Sequence, residues 1–334
     1  MIRTSRPADV IRYGVFGGPA PGNQAYPLAS VGTGPSPAMS KREVMSAAAS
    51  LRSNGTHSLT LAHGRYVPAI VAARPRATVR AWEMTQLLVD SPEAATCHEV
   101  FGILFREIAH RGGERLFLRL REDDPLVRIA ASCGFTKYGD ETLLAGPKVS
   151  FPGVSTESVR EVKPVDEHDL FRLYNASTPS RARFALGMTA DQWRAAREPV
   201  GWRSREYVYR QDDSAQGWAQ VIRKGRSAIL TLMSHPNADN AVPALVTHAM
   251  SRSWGVGSWY VLAGDHQGRL QALMGQRGHW EVARYVTMAR AITSPVTVAE
   301  ARRAVRIRGL NPAVDLSERY QSSTREKSYA ARNS

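Results

Sequence analysis

The chain has 334 residues, 43% of them hydrophobic, enough for packed cores and long enough to set an expectation of two domains. No apolar run approaches the roughly 18 residues of a membrane span, and the first residues hold no apolar signal core, so a soluble cytoplasmic protein with no membrane partner is expected. The net charge of +14 gathers at the ends: residues 1–56 carry six basic against two acidic side chains, and residues 293–334 carry eight against four. That placement favours weak contact of the basic termini with nucleic acid or an acidic partner, and there is no dense basic helix or zinc-finger spacing for a specific interface. The two cysteines, Cys97 and Cys133, form no CxxC and read as buried thiols. The nine histidines show no HExxH or HxxxH pairing, so no metal site is expected.

Residues 1–40 are rich in Gly, Pro, Ala and Ser and read as a flexible segment, because that composition buries too little apolar surface to offset ordering entropy. Ser40 with Glu43 three residues on is a capping box that opens a helix. Strands are expected over 57–62, 66–73 and 82–90, then a helix over 97–111, a strand over 114–121, a helix over 125–133 and a strand over 137–145. A linker over 146–158, with two prolines and two glycines, separates an N-terminal domain (41–150) from a C-terminal one (159–292). The second opens with a strand over 159–163 and helices capped by Asp166 and Thr189. A three-strand meander (205–211, 218–224, 227–234) follows, then a helix over 242–254, a strand over 258–263, a helix over 268–275 and a strand over 280–291. Residues 293–334 read as a basic, largely flexible tail with a short helix over 298–308.

The two parts are copies. At an offset of 144, Pro92 meets Pro236, Ala94 meets Ala238, Gly113 meets Gly257, Leu126 meets Leu270, Gly134 meets Gly278 and Ala145 meets Ala289. Pro and Gly recur at element junctions, where backbone geometry demands them. The repeat implies two α/β units packed about an approximate twofold, side by side.

The order of strands and helices, closing on a helix, the pair Gly134-Phe135 and a strand, resembles the GNAT superfamily of N-acetyltransferases. The resemblance covers residues 41–146 and 159–292 and is similar to that of tandem GNAT proteins. It implies a mixed α/β fold of two acyl-CoA N-acyltransferase-like domains, acetyl-CoA as cofactor, and a small-molecule or protein amine as acceptor. In that family a loop of the form R-x-x-G-x-G/A places backbone N–H groups at a helix N-terminus around the pyrophosphate. Here the arginine position falls on Ala95 and on Asp239, and the glycine positions fall on His98 and Val100 or on Val242 and Ala244. The resemblance assigns the cofactor to the first copy through Leu88, Val89, Ala94, Ala95, Thr96, Cys97 and His98, with small side chains at the loop. Its catalytic base corresponds to Glu83, whose counterpart is Ser227, although an outward-facing residue of an alternating strand is the more ordinary reading of Glu83. The acid Tyr of the family corresponds to Ala130 and Met274. Two readings therefore stand: an acetyl-CoA-dependent N-acetyltransferase, or a non-catalytic binding protein of the same fold that docks through its basic ends.

Overall fold

The structure, a computed structural model, describes residues 1–16, 22–32, 40–51, 55–198 and 204–292. The helix expected over 298–308 and the rest of the tail lie outside the described residues. The first copy runs β1 (Ile2–Thr4), α1 (Pro7–Phe16), α2 (Lys41–Ser50), β2 (His57–His63), β3 (Tyr66–Pro75), β4 (Ala81–Val89), α3 (Ala94–His110), β5 (Arg115–Arg121), α4 (Leu126–Ser132) and β6 (Thr136–Gly146). The second runs β7 (Val159–Glu161), α5 (Glu167–Ser177), α6 (Ser180–Leu186), α7 (Ala190–Ala196), β8 (Ser204–Gln211), β9 (Ser214–Lys224), β10 (Ser227–Ser234), α8 (Ala241–Ser251), β11 (Ser258–Gly264), α9 (Gly268–Gln276) and β12 (Trp280–Ala291). No helix among the described residues is long and apolar enough to cross a membrane.

The N-terminal segment is not loose where it is described. β1 pairs with β2, and the Asp9 carboxylate takes two 2.6 Å bonds from Arg3 and one of 2.7 Å from the Arg6 amide. The second copy repeats this device with Arg160, Lys163 and Asp166, at 2.6–2.8 Å. Residues 2–9 (IRTSRPAD) and 159–166 (VREVKPVD) are thus equivalent at an offset of 157. The first copy begins at residue 2, not near 41, and its extra length lies between α1 and β2. Hydrogen bonds to a buried carboxylate, together with the burial of Val10, Tyr13, Tyr26, Leu28 and Val31, order a segment whose composition alone looked too polar.

The repeat is clearest at the two glycines. Gly134 and Gly278 have φ of 85° and 83°, and the residue after each donates to the carbonyl five back, Phe135 to Ala130 and His279 to Met274. This is the C-terminal cap that glycine makes cheaply.

All twelve strands form one sheet in the order β1-β2-β3-β4-β5-β12-β6-β11-β10-β9-β8-β7. The copies exchange their last strands. β12 pairs antiparallel with β5 of the first copy (Val286 opposite Leu120), β6 pairs with β11 of the second (Leu143 opposite Leu262), and β6 and β12 meet at the centre. Neither half closes its own sheet, so they are not independent domains side by side.

Apolar spacing decides which helix faces are buried. α3 turns Cys97, Val100, Phe101, Leu104 and Ile108 onto Leu116, Leu118 and Leu120 of β5 and Val286 and Met288 of β12. α8 packs Val242, Leu245, Val246 and Met250 on Leu230, Trp259 and Val261. Each such side chain contributes about 1.5–3 kcal/mol relative to exposure. The other sheet face carries α1 and α2 over the first copy and α5 and α7 over the second.

Candidate functional site

β4 and β5 are parallel but pair only from Ala81–Arg115 to Glu83–Phe117, and β10 and β11 pair only from Ser227–Ser258 to Thr231–Leu262. Beyond those points the facing strand edges hold backbone groups that need partners. Each copy thus has a cleft where an extended ligand rich in amides can pair.

In the first copy the chain itself fills the cleft. The Gln24 amide N–H donates to the Leu87 carbonyl at 2.9 Å, and its side chain bonds both N–H and C=O of Val89, at 3.0 and 3.3 Å. The Asn23 side chain accepts from the Leu87 N–H at 2.8 Å and donates to the Thr85 carbonyl at 2.9 Å. From there the segment crosses the centre of the sheet. Tyr26 exchanges bonds with Arg119, the Leu28 amide donates to Glu198 at 3.0 Å, and the Val31 carbonyl accepts from Lys224 Nζ at 2.9 Å.

The residues that the sequence pointed to divide accordingly. Val89 lies at the filled cleft, and Leu88 packs on the opposite sheet face against α1 and α2. Ala94 and Ala95 are exposed at the start of α3, Thr96 is half-buried, Cys97 points into the core, and exposed His98 bonds the Ser132 hydroxyl at 3.0 Å. Glu83 does not face outward, and it is not among the lining residues of the cavity described below. It is 2% exposed, held at 2.8 Å by Arg74 Nε with Arg76 3.4 Å away. Burial raises its carboxyl above the ordinary 4.5, and the neighbouring Glu198 adds to this against the pull of Arg76 and Arg74.

In the second copy, among the described residues, Gln267 bridges the cleft at one level. The Gln267 side chain donates to the Leu232 carbonyl at 2.6 Å and accepts from the Gly264 N–H at 2.9 Å. Beside it lies a cavity of about 250 Å³. Its floor is β9, β10 and β11 with Tyr138, Asp140 and Glu141 of the exchanged β6, and its wall is α5 to α7 through Leu170, Tyr174, Leu186 and Trp193. The sequence showed no helix over 180–186, which here supplies part of that wall.

Four groups give the cavity its chemistry. The His266 ring lies against Gly264, where an added Cβ would stand 2.7 Å from Cε1, and its Nδ1 is 3.4 Å from Asp265. The Tyr138 hydroxyl has no hydrogen-bond partner among the described residues, and burial pushes it up to about 12, so it stays a phenol. Arg119, buried, is gripped by Glu141 and Glu198 at 2.6 Å each. Burial would raise Glu198, but Arg119 and Arg76 outweigh it and hold the carboxyl at about 2. Just before α8, Asp239 is paired with Arg269, which offsets its charge at the helix start. Arg119, Tyr138, Glu198 and His266 span positions 119 to 266, so no local spacing could have assembled them.

No protein-family model and no curated protein matches the chain. A search of solved structures finds a GCN5-related N-acetyltransferase from Sphaerobacter thermophilus with a TM-score of 0.52 at 13% identity, covering 87% of this chain and 95% of that one. A tandem GNAT protein from the clavulanic acid biosynthesis pathway, solved without AcCoA, aligns with a TM-score of 0.46 at 14% identity over 88% and 98% of the two chains. Split parallel strands, the Gly-capped helix before the last strand and this similarity together give the conclusion: the chain has the GNAT N-acetyltransferase fold.

Proposed function

We propose that the chain is an acetyl-CoA-dependent N-acetyltransferase that works in its second copy, with the exchanged β6 of the first copy completing the site. One observation carries this: the β10–β11 opening leads into a cavity, whereas the β4–β5 opening is filled by residues 23 and 24. The residues fit the cofactor. Apart from Leu232 and Gly264, which Gln267 bridges, the strand edges past Thr231 and Leu262 suit its amides, and the start of α8, with Asp239 neutralised by Arg269, suits its phosphates. Bound acetyl-CoA would supply a thioester carbonyl for attack by an amine. His266, backed by Asp265, takes the proton that the acceptor ammonium must lose, and Tyr138 is placed to donate one to the departing sulfur.

A second reading is a binding protein that kept the fold and lost the transfer, with its basic ends as the docking elements. It is favoured by Met274 where the family's acid Tyr is expected, and by Pro243, which removes one amide from the first turn of α8. Isothermal titration of the full chain with acetyl-CoA and CoA separates them. Binding abolished by Ser234→Trp and unaffected by Thr96→Trp is the expected result. Absence of binding at millimolar ligand leaves the second reading, and loss through Thr96→Trp alone would return the site to the first copy.

A further inference from the structure

The cavity's own chemistry narrows its acceptor. Three guanidiniums line it, and all are committed. Arg119 holds Glu141 and Glu198, Arg76 donates to the Ala196 carbonyl at 2.6 Å and faces Glu83, and Arg197 binds Glu206 at 2.5 Å. A carboxylate or phosphate on a ligand finds no free cation there. To recruit one it must displace a half-buried or buried carboxylate from its partner, which strands that charge.

Four carboxylates also line it, Asp140, Glu141, Glu198 and Asp265; Glu141 and Glu198 share Arg119, Asp140 pairs with Lys137 at 2.6 Å and Asp265 with Arg181 at 2.9 Å. Asp140 and Asp265 belong to the end of the cavity that holds His266, because the Asp265 amide donates to the Asp140 carbonyl at 2.9 Å. There an ammonium meets two carboxylates that each already hold one cationic partner. The α5–α7 side is apolar and aromatic, with the rings of Tyr174 and Trp193 5.6 Å apart and Leu170, Leu186 and Met233 beside them. A volume of about 250 Å³ lies just below the roughly 300–1,000 Å³ of small-molecule sites and suits a small acceptor.

Resting on the acyl-transfer reading, we infer that the acceptor is a small primary amine on an aromatic or branched aliphatic body that carries no acidic group. Its ring replaces water against Tyr174 and Trp193, and its ammonium faces Asp140, Asp265 and His266. In the step itself the amine nitrogen, once deprotonated by His266, bonds to the acyl carbon as the carbon–sulfur bond breaks. The sulfur leaves with the bonding pair and takes a proton from Tyr138, and the second proton that the nitrogen sheds on becoming an amide restores the Tyr138 phenol.

The test titrates the full-length protein with 2-phenylethylamine, with L-phenylalanine (the same body plus a carboxylate) and with ethanolamine. It is repeated on Ala182→Phe and Met233→Trp, two variants that fill the cavity from different elements. Phenylethylamine is expected to bind at least about tenfold more tightly than either comparison ligand, a margin of 1.4 kcal/mol, and to lose that margin in both variants. Phenylalanine binding as well as phenylethylamine, or binding indifferent to both fillings, overturns the inference. Acetyl-CoA is titrated in the same series. Its binding without discrimination among amines sinks the acceptor class and leaves acyl transfer standing. Discrimination among amines without acetyl-CoA binding supports the cavity's preference and sinks the transfer reading.

Discussion

Gln24 satisfies both backbone groups of Val89 with one side-chain amide, accepting from its N–H at 3.0 Å and donating to its carbonyl at 3.3 Å. A side chain thus does the work of a neighbouring strand. Asn23 repeats it one level along, and together they close the cleft of the first copy. Replacing Asn23 with Ala leaves the Leu87 N–H and Thr85 carbonyl without partners, at a cost of about 1–3 kcal/mol. Urea denaturation of Asn23→Ala and Gln24→Ala reads this directly. Unchanged midpoints in both would mean that residues 23 and 24 do not hold the cleft closed.

Acid should weaken the fold through the two repeated Arg–Asp devices. Asp166 is brought from the ordinary 3.8 to about 2, chiefly by its bond to Arg160, and Asp9 is also lowered as Arg3 and the Arg6 amide outweigh its burial. A carboxyl lowered in the folded state stabilises fully above its unfolded value, and that contribution falls away as pH drops from about 4 towards 2. Melting temperature measured from pH 6 to 2.5 should therefore decline less steeply in Asp166→Asn than in the parent, from a lower start. Parallel curves would refute the assignment.

His279 stands where the first copy has Phe135, and neither ring nitrogen has a partner among the described residues. Burial lowers its pKa below 6.5, so the folded protein holds it neutral. The unfolded chain then binds the extra proton first, and stability drops as pH falls below about 6.5. His279→Phe should remove that dependence and raise stability at pH 6 by about 1–2 kcal/mol, the cost of an unsatisfied buried polar group. A destabilised variant would show that the ring space beside Gly146 admits only imidazole.

Three substitutions separate the site of the second copy from the residue that spacing had favoured. Tyr138→Phe and His266→Gln are each expected to lower kcat about 10²–10⁴-fold with little change in melting temperature. In His266→Gln the limb of the pH–rate profile that reports the base should also vanish. Glu83→Gln, which breaks a buried ion-pair cluster, should instead cost about 3–5 kcal/mol of stability and leave the pH–rate profile in place. Loss of that limb in Glu83→Gln, with His266→Gln active, would exchange the two roles.

What could be read along the chain was local. Gly134 and Gly278 announce helix caps, Ser40 with Glu43 a capping box, and Asp212-Asp213 a tight turn, here with φ of 49° and 57°. Each is a constraint on a few neighbouring dihedrals, so it is written within a few residues, and the repeat and the element order follow from such marks. Even the start of the first copy was legible, in the pairing of Arg3, Pro7 and Asp9 with Arg160, Pro164 and Asp166, but at an offset of 157 that differs from the 144 of the later elements. The exchange of β6 and β12, the filling of one cleft by Asn23 and Gln24, and the presence of Tyr138 and His266 on one cavity were decided only in three dimensions. Which strand pairs with which depends on competition among edges far apart in sequence, and β6 carries no mark that prefers β11 to β5. A buried Glu83 likewise depends on Arg74 and Arg76 arriving from another strand and on Glu198 from the other copy, and the spacing of its own strand is silent about them.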